Sequence, residues 1–197
     1  MVACSLAMQK KVLYPFQMKA EAEIEVKILE VDLTALHARL TELHARLEFS
    51  GEMHAIFFDD VDGSIRAAGD ALRLRREGDQ AVLAFKRRLR KDTVKVMDEK
   101  ETSVGCFDTM RKIMSGLGYV EIAETRKQRE EFLLPETGAK IVIDDYHDAL
   151  ECVPPFVEIE APTEETVHAS ALLLGFPPDQ CLNWDTRDLA SHYQVKM

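Results

Sequence analysis

The chain has 197 residues, 46% of them hydrophobic, which suits one domain with a sizeable core. Its 35 acids against 25 Lys and Arg leave a net charge of −10, arguing against a nucleic-acid or anionic-membrane surface while leaving room for a basic interior. Cys4, Cys106, Cys152 and Cys181 are widely spaced without a metal-ligand pattern, no apolar run approaches the ~20 residues of a membrane span, and the first residues are too short and too poor in early basic charge for a secretory signal, so the expectation is a cytoplasmic protein with reduced thiols.

Residues 1–20 read as an N-terminal extension in which Met8 or Met18 could equally be the start, followed by one domain over 21–197. Glu21-Ala-Glu23-Ile-Glu25-Val-Lys27 alternates charge with hydrocarbon, so a strand there sends its carboxylates and ammonium to one face and Ala22, Ile24, Val26 and Ile28 to the other. One such strand alone is satisfied by a solvated sheet face. Asp32 is placed to cap a helix with Leu33, Leu36, Leu40, Leu43 and Leu47 on one stripe, and His37 and His44 are expected on its solvated side. Arg73 and Arg75 flank Leu74, and a turn at Glu77-Gly78-Asp79 makes that strand the hairpin partner of one carrying Lys86 and Arg88. Glu99 and Glu101 follow on a further strand. Phe107, Met110, Ile113, Met114 and Leu117 predict a second helix stopped by Gly116 and Gly118. The strand of Lys127 and Arg129 is polar on both faces, which is compatible with an exposed ribbon. Pro135-Glu-Thr-Gly138 turns it into the strand of Asp144, and Glu158 and Glu160 flank Ile159 on the last strand. Thr163 opens a third helix ending at Gly175, and a short helix is expected near 186–193.

If these strand parities face one space, seven acids (Glu23, Glu25, Glu99, Glu101, Asp144, Glu158, Glu160) and seven bases (Lys27, Arg73, Arg75, Lys86, Arg88, Lys127, Arg129) line it. A hydrophobic core cannot hold them. A closed antiparallel barrel with a polar lumen and an apolar outer face under helices can, which makes the expected class α+β.

The motif Glu23-Ile-Glu25-Val-Lys27, in order with Arg73/Arg75, Lys86, Glu99/Glu101, Lys127-Gln-Arg129, Asp144 and Phe156-Val-Glu158-Ile-Glu160, resembles the CYTH proteins, or triphosphate tunnel metalloenzymes, over about residues 21–195. That resemblance implies an eight-stranded antiparallel tunnel with helices outside. It implies Mg²⁺ or Mn²⁺ held by Glu23, Glu25, Glu99, Glu101, Glu158 and Glu160, triphosphate gripped by Arg73, Arg75, Lys86, Arg88, Lys127 and Arg129, and catalytic roles for Lys27 and Asp144. The implied partner is a small-molecule triphosphate (tripolyphosphate, ATP or thiamine triphosphate), with no nucleic acid, no membrane and a homodimer left open. Carboxylates clustered without metal are expected to raise one another's pKa values.

The chain departs from the family pattern in two places. Tyr146-His-Asp-Ala-Leu-Glu-Cys-Val-Pro-Pro155 replaces a glycine-rich turn, and Met97 stands where an arginine is common. Glu160 is retained where some cyclases carry a small residue, which favours the phosphohydrolase members. Three functions follow in order of preference: a triphosphatase, a class IV adenylyl cyclase that makes cyclic AMP and pyrophosphate from ATP, and a non-catalytic polyphosphate or nucleotide sensor.

Overall fold

The computed structural model describes residues 22–147 and 150–195. The strands are β1 (Ala22–Ile28), β2 (Arg46–Asp59), β3 (Ala71–Glu77), β4 (Gln80–Lys91), β5 (Lys95–Val104), β6 (Val120–Leu133), β7 (Lys140–His147) and β8 (Phe156–Ala161). They close into a barrel in the order β1-β5-β4-β3-β2-β6-β7-β8, every pair antiparallel. The helices α1 (Leu33–Glu42), α2 (Ser64–Ala68), α3 (Phe107–Gly116), α4 (Glu164–Leu173) and α5 (Thr186–His192) lie outside it.

The core sits between wall and helices rather than inside the barrel. Outward residues Val26 and Ile28 of β1, Ile141 and Ile143 of β7, and Val157 and Ile159 of β8 pack against Leu36 and Leu40 of α1 and Val167 and Ala171 of α4. A second cluster joins Ile56, Phe58, Leu72 and Leu74 to Phe107 and Met114 of α3. Each such side chain stabilises the fold by ~1.5–3 kcal/mol on burial. Because this apolar surface is spent outward, the alternate residues of every strand are left for the lumen.

Helix ends follow local chemistry. Asp32 accepts from the N–H groups of Thr34 (2.9 Å) and Ala35 (3.1 Å), Thr163 accepts from Thr166 at 3.1 Å, and Asp185 and Asp188 form a capping box at α5. The leucine stripe ends earlier than expected. The chain leaves α1 at Leu43, His44 turns with φ 53°, and Leu47 is an exposed residue of β2. The ladder from Arg46–Leu133 to Asp59–Val120 pairs most of the backbone of that stretch, whereas another helical turn would bury one further leucine. His44 is exposed as expected, but His37 bridges the Leu33 carbonyl (2.8 Å) and Glu130 of β6 (2.7 Å), tying α1 to the barrel.

Two elements carried no readable signal: β2 and α2. The turn that replaces a glycine-rich one after β7 buries Leu150 and Val153 with Leu189 and Ala190, which anchors α5 at that end of the barrel. Cys106, Cys152 and Cys181 are free thiols, and Cys4 and the extension lie outside the described residues. No helix among the described residues is long and apolar enough to cross a membrane.

Candidate functional site

Strand alternation delivers twelve of the fourteen charged residues expected in the lumen to one cavity of about 560 Å³: Glu25, Lys27, Arg73, Arg75, Lys86, Arg88, Glu99, Glu101, Lys127, Arg129, Glu158 and Glu160. Asp144 is fully buried on β7 behind Lys127 and Arg129. Glu23 pairs through its backbone with Met97, and its side chain lies outside the described residues.

The wall from β6 through β7 and β8 to β1 is a tight ionic network. Asp144 Oδ1 accepts from Arg129 Nε at 2.7 Å, its Oδ2 from Arg129 Nη2 at 2.6 Å and from Lys127 Nζ. Arg129 Nη2 reaches on to Glu158 at 3.2 Å, Glu158 accepts from Lys27, and Lys27 donates to Glu25 at 3.2 Å. Lys127 and Arg129 are about 95% buried, so their strand is not an exposed ribbon. Its other face stays partly open, with Glu124 and Gln128 exposed, though His54 bonds Glu124 at 2.7 Å and His37 bonds Glu130.

These contacts reverse the expected carboxylate titration. Burial pushes the Glu25 carboxyl up, but Lys27 and Lys95 outweigh it and hold it at about 2. Glu158 is likewise driven well below the usual range, since Lys27, Lys127 and Arg129 outweigh burial. Glu158 does push the Glu25 carboxyl up, as expected of neighbouring acids, but the bases interleaved with them outweigh it, so neither Glu25 nor Glu158 shows the expected net rise. Burial pulls the Lys27 ammonium down, and Glu158 and Glu25 more than restore it, leaving it permanently charged. Lys127 goes the other way, to about 8, because burial and the Arg129 guanidinium beside it exceed the pull of Asp144.

The wall of β3, β4 and β5 is looser. Arg73 lies 3.8 Å from Glu99, Lys86 3.0 Å from Glu99, and Arg75 3.3 Å from Glu101 and 3.4 Å from Glu77. Glu99 and Glu101 are thus set against the bases of β3 and β4. Arg88 stands at a mouth, where its guanidinium donates to the Ala68 carbonyl at 3.1 Å and packs flat on Gly69. A Cβ at 69 would come within 2.0 Å of the Arg88 Cζ, and the backbone there has φ +82°. Glycine is what seats this arginine.

Of the lumen residues that escaped the sequence reading, Lys95, Tyr146 and Phe57 bear most on the site. Lys95 donates to Glu25 at 2.7 Å; it shares parity with Glu99 and Glu101, so extending that alternation backwards would have found it. Tyr146 lies under Lys127 Nζ, 5.2 Å from the ring centre, and its hydroxyl is pushed up to about 12 by burial and by Asp144 and Glu158. Phe57, on the unrecognised β2, had no charge alternation to reveal it. Met97 faces the lumen as its parity requires, between Glu23 of β1 and Arg88 of β4.

The donor set fits a hard divalent cation in chemistry. Glu25 lies directly opposite Glu160, and Lys27 opposite Glu158, so three carboxylates share two paired strands. Among the described residues, however, no three His, Cys, Asp or Glu side chains converge as a preformed metal site. Lys27 and Lys95 supply counter-charge to Glu25 and Glu158, and Lys140 lies 3.2 Å from Glu160.

A sequence model of the CYTH domain matches residues 21–173. The chain belongs to the CYTH domain family. Among solved structures, a putative adenylate cyclase from Vibrio parahaemolyticus superposes with a TM-score of 0.74 at 17% identity, covering 88% of this chain and 99% of that one. A conserved hypothetical protein from Pyrococcus furiosus gives 0.70 at 19% identity over 85% of this chain and 99% of that one. A putative adenylyl cyclase from Hippeastrum, described as having a dominant triphosphatase activity, gives 0.64 at 18% identity over 89% and 97%. At these identities the likeness is one of fold: the closed eight-stranded tunnel with helices outside. No curated protein sequence matches the chain.

Proposed function

We propose that the tunnel is the active site of a divalent-metal-dependent triphosphatase acting on a small-molecule triphosphate. One observation carries the reading. Eleven Lys and Arg against eight Asp and Glu line the cavity among the described residues, a basic interior in a chain of net charge −10. Such a lumen concentrates a compact polyanion, while the acidic exterior repels long ones. Membership of the CYTH family supports a triphosphate substrate, and the triphosphatase activity ascribed to the Hippeastrum relative, with retention of Glu160, favours hydrolysis over cyclisation.

In this reading Arg73, Arg75 and Lys86 grip the phosphate chain, the arginines through paired N–H donors and the lysine as a point charge. Their contacts with Glu99 and Glu101, at 3.8 Å for Arg73, 3.3 Å for Arg75 and 3.0 Å for Lys86, can be exchanged for phosphate oxygens. Lys27, locked as an ammonium, is a fixed positive charge rather than a base, and offsets charge as it builds on the transferred group. Asp144 orients Lys127 and Arg129 through both its oxygens. Glu23, Glu25, Glu158 and Glu160 are the residues that would hold Mg²⁺ or Mn²⁺, whose chemistry when bound is to polarise phosphate oxygens and acidify a coordinated water.

The test is product analysis over tripolyphosphate, ATP and thiamine triphosphate with Mg²⁺ or Mn²⁺. Orthophosphate release from at least one substrate is expected. Cyclic AMP with pyrophosphate would make the chain a cyclase, and no turnover on any substrate would remove the enzymatic reading.

A further inference from the structure

Phe57 is a large apolar side chain in a tunnel of charges, half-buried, and it belongs to none of the three apolar clusters that hold the fold together. The lumen face of β2 from Met53 through Ala55 to Phe57 carries no charge, whereas the lumen faces of its neighbours β3 and β6 carry Arg73, Arg75, Lys127 and Arg129. On the β6 side its neighbours are small. Phe57 stands opposite Ala123 on β6, and Ala55, one lumen position along, stands opposite Thr125. Ile65 of α2 and Ile122 of β6 line the same cavity. The result is an apolar shelf with open space above it.

Register places this shelf beside the phosphate grip. Phe57 is the direct cross-strand neighbour of Arg73, and Ala55 that of Arg75, so the shelf and the two arginines lie side by side on adjacent strands. A bare inorganic triphosphate has no use for such a surface, because every group it presents is charged. A cavity of about 560 Å³ also falls within the ~300–1,000 Å³ in which organic ligands are enclosed.

We infer that the tunnel selects an organic triphosphate, seating a flat, largely apolar group on the β2 shelf with Phe57 as the specificity-determining residue while Arg73 and Arg75 take the phosphates. This rests on the triphosphate reading of the same tunnel. The aromatic ring gains by covering an apolar group of the ligand, and the adjoining arginines fix the phosphate end.

The experiment compares kcat/KM on tripolyphosphate, ATP and thiamine triphosphate for the parent, Phe57→Ala and Phe57→Leu, with calorimetric titration of tripolyphosphate and ATP in parallel. The parent is expected to prefer an organic substrate. Phe57→Ala should lose at least tenfold on that substrate, mainly through KM, and stay within twofold on tripolyphosphate, with Phe57→Leu recovering most of the loss. A parent that prefers tripolyphosphate, or equal losses on both substrate classes, overturns the shelf and leaves the triphosphatase reading standing. If no triphosphate is turned over, that reading falls instead, and the shelf is judged on binding alone: ATP affinity must fall selectively in Phe57→Ala, or the inference is wrong. Should Phe57→Ala fail to fold, Phe57→Leu must still show a loss confined to the organic substrate.

Discussion

The two charged walls of the tunnel use the same residue types in opposite ways. From β6 to β1, Lys127, Arg129, Asp144 and Glu158 are buried and joined by short contacts, down to 2.6 Å between Arg129 and Asp144. From β3 to β5, Arg73, Arg75, Lys86 and Glu99 are more open, with separations out to 3.8 Å. A closed network of buried charges holds its geometry because removing any member strands the others in a medium of low polarity. A loose one can reorganise around a ligand at small cost. The tight wall is thus held in place by its own pairing, while the loose wall is the part of the lumen with room to rearrange.

The sharpest way to break this comparison is at Asp144. Replacing it with Ala leaves Lys127 and Arg129 buried without their main counter-charge, and should cost ~3–5 kcal/mol of stability, read as a lowered urea midpoint. A loss no larger than that of an exposed charge would mean the network is wet and the contrast false. On the loose wall, Arg73→Ala is expected to do the reverse. Its stability should stay within ~1 kcal/mol of the parent, while kcat/KM on the best triphosphate falls by about 2–4 kcal/mol, as loss of a preorganised donor does. Arg73→Lys should rescue in part, since an ammonium cannot reproduce the fork.

Glu25 sharpens the comparison, because it faces both Lys27 and Lys95. If clustered carboxylates simply repelled one another, Glu25→Gln would relieve repulsion and stabilise the chain. With the carboxylate between two ammonium groups, the same change should instead destabilise by ~1.5–3 kcal/mol, the worth of hydrogen bonds to charged groups, and abolish metal-dependent turnover. The sign follows from linkage. Glu25 is held at about 2 against an ordinary 4.5, so its contribution is fully present above pH 4.5 and lost as pH falls toward 2. The stability gap between parent and Glu25→Gln, measured by denaturant titration across that range, should therefore close; a constant gap would show that Glu25 is not ion-paired.

The smallest expected effect belongs to Lys127. Its folded pKa of about 8 lies below the ordinary 10.5, so between those values the unfolded chain binds the extra proton and stability rises with pH. Lys127→Met should flatten that slope between pH 8 and 10. Tyr146 and Lys27, whose pKa values are raised, act with the opposite sign and only above about pH 10. An unchanged slope would mean that Lys127 is not the depressed group.

Legibility tracked the chemistry of each strand's two faces. Where one face is oily and the other charged, as in Ala22–Ile28 or Phe156–Ala161, the period of two was unmistakable, and parity placed twelve lumen residues correctly. In β2 both faces are largely uncharged from Met53 to Phe58, so no alternation marked it, although it forms the longest ladder of the barrel. In β6 both faces are polar, which hid the difference between Lys127 in the lumen and Glu124 under His54.

Alternating charge and hydrocarbon, with capping residues such as Asp32 and Thr163, determined by itself the strands that carry charge on one face, which side of those faces inward, and that the interior had to be polar. Tertiary structure alone decided which acid meets which base. That pairing depends on barrel register across strands distant in the chain, as where Glu25 meets Glu160 and Lys95. With it were decided the protonation of the carboxylates, the split into a tight and a loose wall, and the seating of Phe57 beside Arg73, because Coulomb energies and burial depend on distances that local sequence does not contain.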